Sequence, residues 1–171
     1  YMAQPFYMQY EAEYNGCKNC EDSYQQFLQV YGRMRDPLNG LYYHAYDDSR
    51  QMFWCDKVTG LSENFWLRAM GWYAMALIDT MEVMPESMAC QKARLNAIYK
   101  ELIDAMLPYQ DQATGMWYQV VNRGGIAPNY LEESGSAIFA YAIMKSVRLH
   151  YLPEDYFKYG QKAFDGICST Y

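Results

Sequence analysis

The sequence predicts an all-α fold assembled from repeated helical hairpins. Two observations carry this: apolar residues recur at helical spacing in five separate stretches, and one polar turn followed by aromatics occurs twice between them. Almost no stretch reads as strand.

Tyr24, Phe27, Leu28 and Tyr31 fall at i, i+3, i+4 and i+7 behind Asn19 as N-cap, so Cys20 to about Arg35 is predicted helical. Asp36-Pro37 stops it. Phe65 to Val83 is apolar nearly all round, between Ser62 and Pro85, which describes a helix buried on several sides. Leu95, Ile98, Tyr99, Leu102 and Met106 repeat the spacing up to an exit at Pro108. Asn129 with Glu132 three residues on resembles a capping box that opens a helix to about Tyr151. Pro153, at a first helical position, starts a last helix carrying Tyr156, Phe157, Ala163, Phe164 and Ile167. With the opening segment, about six helices are expected.

Between helices, Asp36-Pro-Leu-Asn-Gly40-Leu-Tyr-Tyr-His44 returns as Asp111-Gln-Ala-Thr-Gly115-Met-Trp-Tyr-Gln119, an offset of 75 residues (36 against 111). Gly after a polar turn and before aromatics suits a tight bend into a short extended segment. A single helical hairpin cannot bury its own apolar face, so such units stack into solenoids or close into α/α barrels, with the repeated loops at one end.

The 171 residues carry 14 basic and 20 acidic side chains, a net charge of -6 that excludes nucleic-acid binding driven by bulk charge. Hydrophobic residues at 51% and aromatics at 18% give ample material for one core. The apolar runs Ala69–Ile78 and Ser134–Met144 are shorter than the roughly 18 to 20 residues a membrane helix needs. The opening YMAQPFYMQY lacks a basic n-region and a cleavage site, and the expectation is a piece of a longer protein. Five scattered cysteines argue against a disulfide framework and for a reducing or redox-neutral setting, and Cys17-x-x-Cys20 alone is a weak zinc motif. No metal site or cofactor is expected.

Nineteen tyrosines and four tryptophans suit either a Tyr-rich core or a surface that holds sugars. His44 stands in a Tyr-Tyr-His-Ala-Tyr-Asp run where flanking aromatics and Asp47 would hold the imidazole against a ligand; the alternative is a solvated loop histidine. Arg68 enters an apolar helix and needs an anionic partner. Helical spacing puts Arg68 and Trp72 on one face and Trp66 roughly opposite. A guanidinium among indoles suits a bidentate grip on a carboxylate, and the alternative is a structural ion pair with Asp79, Glu82 or another core acid. Asp47, Asp48, Asp56, Asp79, Glu132 and Glu133 show no spacing that marks an acid/base pair, and Glu132 and Glu133 read as helix-start acids.

GLYYHAYD at Gly40–Asp47 and SENFWLRAMGWYAMALID ending at Asp79 resemble glycoside hydrolase family 105, the unsaturated rhamnogalacturonyl hydrolases. The likeness continues through Thr114–Val121 and Asn129–Ser136, and Arg68-Ala-Met-Gly-Trp72 sits closer to it than to the Arg-Gly-Gln-Ala-Trp run usual in family 88. Ala45-Tyr46 stands where Gly-Trp is common, and Leu67 and Met70 replace smaller or polar residues. The resemblance implies an α/α barrel of six hairpins, with residues 1–171 as a single segment supplying roughly the C-terminal half. It implies hydration of the 4,5 double bond of a terminal unsaturated galacturonyl residue, releasing rhamnose or a rhamnosyl product. By the match His44 contacts the uronyl ring, Trp66 and Trp72 shape the pocket, and Arg68 lies near the uronate carboxylate. The catalytic Asp of the family is expected just ahead of Tyr1, so no catalytic residue is expected in the chain, and alone it is expected to be inactive. The implied partners are an unsaturated galacturonyl-rhamnose oligosaccharide and the other half of the barrel, with self-association where that half is missing and neither nucleic acid nor membrane as a partner. The implied setting is the bacterial cytoplasm or periplasm. The alternative is a non-enzymatic helical-repeat module that binds sugars or a protein.

Overall fold

The computed structural model describes residues 1–171 as six α-helices joined by loops and short 3-10 turns, with isolated bridges but no strand. The helices are α1 (Gln4–Tyr14), α2 (Cys20–Met34), α3 (Leu67–Val83), α4 (Ala89–Met106), α5 (Glu133–Arg148) and α6 (Phe157–Thr170). They form three hairpins. α3 packs between α1 and α5, while α2, α4 and α6 back α1, α3 and α5 respectively, giving two helical layers.

The apolar stretch that opens at Phe65 becomes the central helix for the reason its composition suggests. Leu67, Met70, Ala74, Ala76, Leu77, Ile78 and Met81 all have 2% exposure or less and face three neighbours. Each large aliphatic among them contributes about 1.5–3 kcal/mol relative to exposure. At the start of α5 the approach to α3 is so close that a Cβ on Gly135 would stand 2.6 Å from Leu67 Cγ and 2.8 Å from Glu132 Oε2. That contact locks the N-termini of α3 and α5 together.

The repeated turns form as expected. Gly40 N donates to Asp36 O at 2.9 Å and Gly115 N to Asp111 O at 2.8 Å, with both glycines left-handed at φ 77° and 74°. Asp56–Gly60 makes the same turn a third time, with Gly60 N on Asp56 O at 2.8 Å. The two aromatic loops meet where Leu67 N donates to Gln119 O at 2.9 Å and Trp66 bridges Val120. The second loop is a core element, because Trp117 is fully buried with its Nε1–H on Met106 O at 2.9 Å.

Four local expectations are corrected. The chain from 129 to 132 stays extended, Leu131 bridging Tyr118, so α5 starts later and Glu132 is its N-cap, accepting from Ser134 N and Gly135 N. Asn129 instead clamps the preceding loop, its Nδ2 donating to Val120 O and Arg123 O at 2.9 and 2.8 Å. Asn19 occupies the N-cap of α2 without capping it, its amide group turned to Glu11 at 3.2 Å. Pro153 precedes a 3-10 turn, Glu154–Tyr156, and α6 begins only at Phe157. In addition, Cys17 and Cys20 form a disulfide, which closes the α1–α2 turn locally; Cys55, Cys90 and Cys168 are free.

Candidate functional site

The site grows from the junction of the first aromatic loop with α3. His44 is exposed at the end of the loop, and its Nδ1 lies 3.1 Å from Asn64 O and 3.0 Å from Ser62 Oγ. Both contacts are made by Nδ1, which leaves Nε2 as the ring nitrogen without a hydrogen-bond partner in the chain. Asp47 does not hold this imidazole. Its carboxylate takes the N–H groups of Met52, Gln51 and Ser49 and the Ser49 hydroxyl, and those bonds, the Met52 N–H first, hold its carboxyl well below the usual range.

The Trp66 ring meets the His44 ring edge-on, with centroids 6.1 Å apart. Trp66 is not opposite Arg68, as continuous helical spacing would place it. It is the extended N-cap of α3, with ψ 120°, and this turns the indole beneath the guanidinium, whose Cζ lies 5.1 Å from the ring centroid. On its other side Arg68 Nη1 donates to Ser134 Oγ at 3.0 Å and lies 3.5 Å from Glu132 Oε1. The core acid that answers Arg68 is therefore Glu132. Asp79 and Glu82 are committed elsewhere, holding Lys145 at 2.8 and 2.5 Å. Burial works against the Lys145 charge, but these hydrogen bonds more than offset it and raise its pKa above the usual ammonium value.

Trp66 thus touches both His44 and Arg68. Trp72, a turn further along α3, does not join that stack: it is 40% exposed and its ring lies on Tyr1, centroids 5.1 Å apart. It shares with His44 a cavity of about 290 Å³, lined also by Tyr42, Tyr43, Tyr73 and Gln26. Trp66 packs against His44, and neither Trp66 nor Arg68 belongs to that lining. Two buried polar atoms at the site have no partner, Trp66 Nε1 and the Tyr42 hydroxyl. Burial pushes the Tyr42 phenol far above its ordinary pKa, so it stays protonated and can serve as a donor.

A proton donor needs a carboxyl whose pKa lies near the working pH. Asp47, Asp48 and Asp56 are all shifted downward by hydrogen bonds, to Met52 N–H, the Tyr46 hydroxyl and Thr59 N–H respectively as the largest cause. Glu132 is occupied as a cap, and Asp79 by Tyr141 and Lys145 at 2.9 and 2.8 Å. Sequence reasoning missed Ser62 and Asn64, which orient His44, and Ser134, which holds Arg68. Their only signal was position, immediately ahead of the Trp66-x-Arg68 pair and two residues past Glu132.

Over residues 1–170 the chain matches the model of a family described as Glycosyl Hydrolase Family 88. It is 38% identical over 148 residues to Protein Atu3128 of Agrobacterium fabrum, covering 86% of this chain and 62% of that protein. It is 31% identical over 153 residues to the unsaturated rhamnogalacturonyl hydrolase YesR of Bacillus subtilis, covering 88% of this chain and 38% of that protein. A solved glycoside hydrolase of family 105 from C. acetobutylicum superimposes with a TM-score of 0.95 at 41% identity, over 99% of this chain and 47% of that one. The three hairpins are accordingly the α/α-barrel fold of these enzymes, of which the chain spans about half, and it spans less than two thirds of either curated relative.

Proposed function

From its membership of glycosyl hydrolase family 88, with a family 105 enzyme as a solved relative, we propose that this chain carries the uronate-binding part of an unsaturated rhamnogalacturonyl hydrolase. The substrate is a 4,5-unsaturated galacturonyl residue linked to rhamnose. A carboxylic acid protonates the double bond at C4, water adds at C5, and the resulting hemiketal opens to release the neighbouring sugar.

One observation carries the reading. The Arg68 guanidinium is held over the Trp66 indole with one nitrogen engaged and the side chain 36% exposed, and the same indole meets the His44 ring at its edge. A planar fork and an imidazole on one indole, with a tyrosine-lined cavity at the imidazole, fit a flat, unsaturated ring bearing a carboxylate. Trp72 and the cavity it shares with His44 then take the adjoining sugar. The proton donor is assigned to a residue outside 1–171, since the acids around His44 are bound as caps, turn anchors or ion pairs. The α1 face bearing Phe6 and Tyr14, 71% and 75% exposed, is assigned to contact with the remaining hairpins of the barrel.

The test is turnover of an unsaturated galacturonyl-rhamnose disaccharide, followed as loss of the enol-ether ultraviolet absorbance. Activity that falls about a hundredfold or more in Arg68→Ala supports the reading. A well-folded protein that binds sugars saturably without consuming the double bond would replace it with a binding module.

A further inference from the structure

We infer that Glu132 is a positioning residue that sets Arg68 through the hydroxyl of Ser134, so that the first turn of α5 aims the carboxylate-binding group at the start of α3. The inference rests on the proposed role of Arg68 and goes one layer behind it.

The geometry fixes the direction of every hydrogen bond in the relay. Glu132, with only 6% of its side chain exposed, is a carboxylate and can only accept; Oε2 takes Gly135 N at 2.7 Å, and Oε1 takes Ser134 N at 3.2 Å and the Ser134 hydroxyl at 2.5 Å. The single Ser134 hydroxyl proton is committed to Glu132, so the oxygen presents lone pairs to Arg68 Nη1 at 3.0 Å. Direct contact between Glu132 and Arg68 is long, at 3.5 Å. The relay therefore fixes the guanidinium without closing a bidentate ion pair on it. Arg68 Nε and Nη2 make no hydrogen bond within the chain, and this edge of the fork is the one that matches a carboxylate.

The backbone keeps the relay in place. Glu132 is anchored by two N–H groups of its own helix, and Gly135, where a side chain would collide with Leu67 and Glu132, holds that helix against α3. Glu132 thus cannot follow Arg68 if the arginine moves, and it serves as a fixed reference for it.

Two readings of Glu132 predict opposite results. If it merely competes with the ligand for Arg68, removing its charge tightens binding. If it positions Arg68, removing the relay weakens binding. The experiment uses the protein as its gene encodes it, with the unsaturated galacturonyl-rhamnose disaccharide as substrate. Ser134→Ala leaves both backbone bonds to Glu132 and is expected to raise KM roughly tenfold with kcat little changed, as for loss of one charge-assisted hydrogen bond that serves binding. Ser134→Thr, which restores the hydroxyl, is expected to recover most of the loss. In an Arg68→Ala background Ser134→Ala should cost nothing further. Glu132→Gln should also raise KM.

An unchanged KM in Ser134→Ala with an Arg68→Ala variant that is impaired would overturn the inference alone. A Glu132→Gln variant that binds more tightly, or a Ser134→Ala effect that persists without Arg68, also overturns it. An Arg68→Ala variant with wild-type KM removes the proposed role of Arg68 and the inference with it. Thermal melts of each variant identify losses that come from unfolding.

Discussion

The Arg68 guanidinium lies on the Trp66 indole, Cζ 5.1 Å from the ring centroid, because Trp66 stops one residue short of α3. Had the helix begun a residue earlier, the two side chains would point apart. The start of a helix here sets which side chains face one another.

Arg68→Lys is therefore expected to behave almost as badly as Arg68→Ala. A lysine keeps the charge but loses both the fork and the stacking. We expect kcat/KM for the unsaturated disaccharide to fall about a hundredfold or more in each, from steady-state rates.

Trp66→Phe keeps an aromatic platform with a weaker cation–π contact and no indole N–H. A rise in KM of roughly threefold to tenfold is expected, while Trp66→Ala should be clearly worse. Titration of each variant with the disaccharide checks the order.

Gly135→Ala should lower the melting temperature, because the new methyl meets Leu67 and Glu132 with nowhere to go. A cost of about 1–3 kcal/mol is expected from overpacking at a buried helix contact. Denaturant unfolding measures it, and a neutral result would mean that α3 and α5 separate easily.

The Asp47 carboxylate anchors its loop, and its folded pKa lies below the unfolded one. Its stabilisation is thus complete above the ordinary carboxylate pKa of about 4 and drains away as pH falls below that toward the folded value. Wild type should melt above Asp47→Asn at neutral pH, with the gap narrowing under acid. A gap that widens on acidification would contradict this.

Residues 1–171 produced alone should fold but turn over no substrate, and should self-associate through the α1 face. Phe6→Glu, on an aromatic ladder with Tyr10 and Tyr14, should reduce that association in light scattering. A monomeric chain at high concentration contradicts the assignment of this face.

Much of this was legible in the sequence because apolar periodicity and turn chemistry are local. The span of α2 and the presence of α3 and α6 follow from their spacing, though not where the latter two begin, and the turns at Gly40 and Gly115 follow from their repeat. The third turn, Asp56–Gly60, escaped because it lies only 20 residues past the first (56 against 36) and outside the 75-residue period. His44, Trp66 and Arg68 could be named from the sequence as candidates, but their arrangement could not be read there. The partner of Arg68 depends on how α3 meets α5, and the rotation of Trp66 on one residue of helix boundary. The role of Asp47 turned on five residues of loop that fold back on it, from Asp47 to Met52. No spacing rule reaches those contacts.

The most direct test of the central claim is the kcat/KM of the gene-encoded protein and its Arg68→Ala variant on 4,5-unsaturated galacturonyl-rhamnose, read by loss of the enol-ether absorbance. Saturable turnover is expected in the wild type and collapses in the variant while the melting temperature holds. An Arg68→Ala protein that consumes the double bond at the wild-type rate would contradict that claim.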